Sequence, residues 1–119
     1  MRKLLIASLC AAALVSTAAQ AHTFLDHATP GADASLAAAP AQLVLVFTDS
    51  LEGDQVRVEL LDGAGHHLAS NADKNVLVKD DTMTIPLPKL APGEYRVTWS
   101  IDPHLRGHET SGDYHFKIK

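Results

Sequence analysis

The chain has 119 residues, a formal charge of −4 and one cysteine, Cys10. Fourteen acidic side chains against ten basic ones make a surface unsuited to nucleic acid or anionic lipid. A lone thiol excludes a disulfide framework and a thiolate zinc site.

Residues 1–21, MRKLLIASLCAAALVSTAAQA, place two basic residues before an apolar run and close on Ala19-Gln20-Ala21, a small-x-small peptidase site. The apolar stretch from Leu4 to Val15 is shorter than the roughly 20 residues that cross a bilayer. The segment therefore reads as a cleaved secretory signal, and 22–119 as one exported domain of ordinary small size. Cys10 leaves with the signal. Without Arg2 and Lys3 the balance is eight basic against fourteen acidic side chains, a net charge of −6. All seven histidines remain: His22, His27, His66, His67, His104, His108 and His115.

PGADASLAAAP, 30–40, reads as a connection bounded by prolines. QLVLVFTD, 42–49, is a β-rich run, and VRVELL, 56–61, alternates loosely before the turn signal DGAG, 62–65. Short strands are expected at 66–70, 76–78 and 83–87, with KDD turning between the last two. EYRVTWSI, 94–101, is the clearest strand. Tyr95, Val97, Trp99 and Ile101 share one face; Glu94, Arg96, Thr98 and Ser100 share the other. DYHFKIK repeats the pattern, with Tyr114, Phe116 and Ile118 facing inward. About seven short strands with turns every eight to twelve residues predict an all-β sandwich or barrel. His66, His67 and His115 read as solvated polar residues.

The sequence holds no phosphate-binding glycine loop, HExxH, calcium loop or nucleophile elbow. Chemistry is left to histidine and to the new N-terminus. A cut after Ala21 frees the amine of His22, and an α-amine titrates near pH 8, low enough to yield its proton to a metal. Amine and ring Nδ1 can chelate one ion, and a second imidazole makes a three-nitrogen set that suits Cu(II). IDPHLRGHETSG, 101–112, follows the best strand and offers His104 and His108, with Asp102 and Glu109. Equally, a cut must leave some residue first, and loop histidines can be ordinary solvated residues.

Four blocks, AHTFLDHATPGAD, AAAPAQLVLVFTDSLE, LPKLAPGEYRVTWSIDP and GHETSGDYHFKIK, together resemble the periplasmic copper-binding proteins of the copper-resistance protein C (CopC-like) family. The resemblance covers essentially all of 22–119. It implies an immunoglobulin-like, seven-stranded β-sandwich or barrel with Greek-key connections. It implies one Cu(II) ion held by the amine and ring of His22 and by His108. The family's aspartate, two residues before the second histidine, is replaced here by Arg106. Arginine offers no acceptor and always carries charge, so His104 or Asp102 is the candidate supplementary ligand. Asp26 and His27 are not assigned as ligands.

Met83 is the only methionine after residue 21 and reads as core packing, so no thioether Cu(I) cluster is expected. The implied role is periplasmic sequestration of copper, or its delivery to a membrane copper transporter or another periplasmic copper protein. Two alternatives stand beside it. One is a small oxidative copper enzyme using the same histidine arrangement. The other is a non-metal β-sandwich module whose ancestral site is degraded.

Overall fold

The computed structural model describes residues 22–103 and 109–119. The described residues form strands β1 (Leu25–Thr29), β2 (Ser35–Leu36), β3 (Gln42–Phe47), β4 (Gln55–Asp62), β5 (His67–Ser70), β6 (Leu77–Lys79), β7 (Thr82–Pro86), β8 (Gly93–Asp102) and β9 (Thr110–Ile118). They make two sheets. One has the order β1-β3-β7-β6, the other β2-β9-β8-β4-β5.

The seven strands expected from pattern return as β3 to β9, and two more precede them. β1 has no clean alternation because its register against β3 shifts between Leu25 and His27. Such an irregularity breaks the period of two that reveals a strand in sequence. β2 lies inside the stretch read as a connection. It is two residues long and pairs in parallel with the end of β9, Ser35 with Lys117 and Leu36 with Ile118. A strand that short has no period to detect.

Apolar alternation builds the core. Leu43, Leu45 and Phe47 of β3, with Met83 and Ile85 of β7, face inward from the first sheet. Val58 and Leu60, Tyr95, Val97 and Ile101, and Tyr114, Phe116 and Ile118 face them from β4, β8 and β9. All belong to one buried cluster, as two one-sided sheets require. The Tyr95 and Phe116 rings stack with centroids 5.4 Å apart, and Phe47 meets Trp99 edge-on at 6.3 Å. Met83 is buried among these residues.

Turns are set by short polar side chains. Asp62 Oδ1 accepts the amides of Ala64 and His66, both at 2.9 Å, and Oδ2 pairs with His66 Nδ1 at 3.0 Å. These bonds, that from the His66 amide foremost, hold the Asp62 carboxyl below its ordinary range. Gly65 completes this hairpin at a φ of 86°, a value costly for any residue with a Cβ. At the entry to β8 the Tyr95 hydroxyl donates to the carbonyl of Ala91.

Residues 22–36 run along one margin of the sandwich, first paired with one sheet through β1 and then with the other through β2. Side-chain and backbone bonds tie this segment to β9. Tyr114 donates its hydroxyl to the Pro30 carbonyl at 2.8 Å. The amides of Asp33 and Lys117 reach the carbonyls of His115 and Ala34 at 2.7 and 2.9 Å.

Candidate metal centre at the N-terminal margin

His22, Thr23 and Phe24 precede β1. Thr23 is 5% exposed, the one buried polar residue among the described residues. Its carbonyl accepts a 2.6 Å hydrogen bond from Thr110 Oγ1, at the first position of β9. The next peptide is held by Thr48, the residue that follows β3 of the other sheet. The Phe24 amide donates to Thr48 Oγ1 at 2.9 Å, and the Thr48 amide donates to the Phe24 carbonyl at 2.8 Å. Consecutive residues are thus fixed by different sheets.

His22 is half-buried. Its ring stands edge-on to Phe24, with centroids 6.4 Å apart, and Phe24 itself is largely exposed. The indole of Trp99 lies at the same end of the sandwich, since Trp99 pairs with Gly112 and Ile101 with Thr110. Trp99 is the chain's only tryptophan.

His104, Arg106 and His108, singled out by the sequence, lie outside the described residues. Asp102 and Glu109, on either side of that segment, line one polar cleft of about 160 Å³ with Gln55, Arg57 and Ser100. In the pairing of β4 with β8, Gln55 stands opposite Asp102 and Arg57 opposite Ser100. Asp102 and Ser100 flank buried Ile101, so they belong to the outward face of β8. Thr23, by contrast, is buried against the start of β9.

The other histidines are exposed and mostly matched to carboxylates. His27 Nδ1 meets Asp26 Oδ2 at 2.8 Å, and His67 Nδ1 meets Glu59 Oε2 at 3.0 Å. His66 pairs with Asp62 as described. Asp113 is held by Arg96 at 3.0 Å, with His115 at 3.9 Å from the same carboxylate. Among the described residues no three His, Asp or Glu side chains gather where they could hold a metal. No helix among them is long and apolar enough to cross a membrane.

Thr23, Thr48 and Thr110 were not marked by sequence reasoning. A threonine at a strand end carries no local signal of its partner, and here Thr23 and Thr110 are 87 positions apart.

A family model for the CopC domain matches residues 25–119. The chain is 29% identical to "Protein YobA" of Escherichia coli K12 over 107 residues, 89% of this chain and 86% of that protein. It is 30% identical to "Copper transport protein CutJ" of Bacillus subtilis over 101 residues, 82% of this chain but 18% of that protein. Among solved structures, CopC from Methylosinus trichosporium OB3b superposes with a TM-score of 0.68 at 25% identity, covering 82% of this chain and 94% of that one. PcoC, a methionine-rich copper resistance protein from Escherichia coli, superposes with a TM-score of 0.60 at 25% identity, covering 83% and 100%.

Proposed function

The chain belongs to the CopC domain family, and from that premise we propose that it is an exported protein that takes one Cu(II) ion as cargo at the amine of His22. It sequesters the ion or passes it to a membrane copper transporter or another periplasmic copper protein, and so contributes to copper resistance. In this reading residues 1–21 are the export signal, removed after Ala21, and 22–119 are the periplasmic domain. Its two sheets make an immunoglobulin-like Greek-key sandwich. The hydrogen bond from the Tyr95 hydroxyl to the Ala91 carbonyl supports that, being the tyrosine corner common in such sandwiches.

The observation that carries the reading is the 2.6 Å bond from Thr110 to the Thr23 carbonyl. It draws the N-terminus to the residue where β9 begins. His22 is one residue from one partner of that bond, and His108 is two residues from the other. Two residues of chain span at most about 7 Å, a tether short enough for the proposed pairing of His108 with His22. The donors fit the ion. An α-amine, the Nδ1 of the same residue and a second imidazole are borderline nitrogen ligands of the kind Cu(II) prefers in a tetragonal set. Water fills the fourth position unless His104 supplies it; Asp102, on the outward face of β8 beside Arg57, is the weaker of the two supplementary candidates. The match to part of a copper transport protein supports a receiver among transport proteins. The site cannot form before cleavage, since until then the nitrogen of His22 is an amide.

The test is Cu(II) titration with electron paramagnetic resonance on two proteins, one beginning at His22 and one retaining Ala21 ahead of it. The first should show nitrogen coordination. The second should bind at least tenfold more weakly, with altered hyperfine splitting. His108→Ala in the first should also weaken binding by about tenfold or more. Equal affinities and identical spectra for the two proteins would reject the N-terminal site. No tight binding in either would leave a β-sandwich module without copper.

A further inference from the structure

We propose that Thr110 is a positioning residue for the N-terminus: its hydroxyl clamps the Thr23 carbonyl and presets the direction in which the His22 amine leaves the sandwich. The proposal rests on the copper reading above for its consequence, but not for its geometry. A chain terminus frays unless it is tied down. Here Thr23 is buried to 5% exposure and its carbonyl is held at 2.6 Å by Thr110. Phe24 is held in both directions by Thr48 at 2.9 and 2.8 Å. The anchor thus comes from β9 of one sheet and from the residue after β3 of the other, and in the protein cut after Ala21 only His22 lies beyond it.

With Thr23 fixed, the path to the amine of His22 retains two soft torsions, φ of Thr23 and ψ of His22. A ligand nitrogen with so little freedom need not be ordered when an ion arrives, and ordering at the moment of binding subtracts from affinity. Thr110 can exert this effect without touching the ion. Its partner is a carbonyl, and its hydroxyl proton is spent on that bond. Thr110 also stands opposite Ile101 in the β8–β9 ladder, so the clamp is referred to the longest strand of the sheet rather than to a loop.

Thr110→Val keeps the β-branched shape and removes the donor, whereas Thr110→Ser keeps the donor. Both are made in the protein beginning at His22, which contains both sheets and the entire described core. In the metal-free protein, backbone order parameters at Thr23 and Phe24 should be near the rigid value of about 0.85. Thr110→Val should lower that of Thr23 below about 0.6 while Phe24, still held by Thr48, and Val97 and Phe116 stay rigid, and Thr110→Ser should restore it. In a competition titration Thr110→Val should bind Cu(II) about tenfold more weakly, the cost of ordering roughly one residue. Thr110→Ser should stay within about twofold.

Should Thr110→Val fail to fold, Thr110→Ala removes the same donor and reads the same order at Thr23, and Thr48→Val, which removes a bond to Phe24, should lower the order at Phe24. Unchanged order at Thr23 in Thr110→Val overturns the clamp. Lost order with unchanged affinity overturns the positioning role. If the unaltered protein binds no Cu(II), the copper reading fails, and the metal-free comparison still decides the clamp.

Discussion

Tyr114 illustrates how one side chain serves both core and margin. Its ring is buried in the central cluster, and its hydroxyl reaches the Pro30 carbonyl at 2.8 Å. Burial pushes the phenol well above its ordinary value. The sign follows from linkage. The folded protein keeps the proton above pH 10, where the unfolded chain releases it. The contribution is therefore complete below about pH 10 and is lost as pH rises towards the folded value. Tyr114→Phe should cost about 1–2 kcal/mol in urea unfolding at neutral pH, since it leaves the Pro30 carbonyl without this donor. Its stability should also fall less steeply than the parent's above pH 10. The inward face of Tyr114 was legible from alternation. Its partner was not, because the hydroxyl reaches a residue 84 positions away.

At the scale of elements, β8 and β9 form the frame on which the site depends. They pair from Gly93 with Ile118 to Ile101 with Thr110. Trp99 falls opposite Gly112, and a Cβ added at Gly112 would lie 2.7 Å from the indole. The close approach lets the indole lie across the neighbouring strand and meet Phe47 on the facing sheet. Gly112→Ala should therefore displace Trp99, cost about 1–3 kcal/mol in thermal or urea unfolding, and shift the tryptophan emission. An unchanged emission maximum would mean that the strand yields instead of the ring. These strands were readable because each keeps a period of two for seven residues or more. β1 and β2 were not readable, since an irregular register interrupts the first and the second is too short. Yet β1 and β2 carry the N-terminal segment from one sheet to the other.

For the whole molecule, the decisive feature is one core closed between two sheets. Leu45 is fully buried near its middle, between Leu25 and Phe47 on one side and Leu43 and Ile85 on the other in chain and ladder order. Leu45→Ala should cost about 2–5 kcal/mol, read from the urea midpoint, and under the proposed copper reading it should change Cu(II) affinity little in the fraction that remains folded. A comparable loss of affinity in that fraction would mean that the core, not the margin, positions the ligands.

The all-β class, the inward faces of the long strands, the packing role of Met83 and the family to which the chain belongs were all readable from residue order alone. Each is either a local periodicity imposed by the pleat or a set of motif blocks kept in order. That Thr23 lies buried against Thr110, that Thr48 holds the next peptide, and that Asp102 opens onto a cleft with Arg57 emerged only once the sheets were stacked. Those contacts join residues far apart in the chain. They follow from how the two sheets stack and where their margins meet, which no local period encodes.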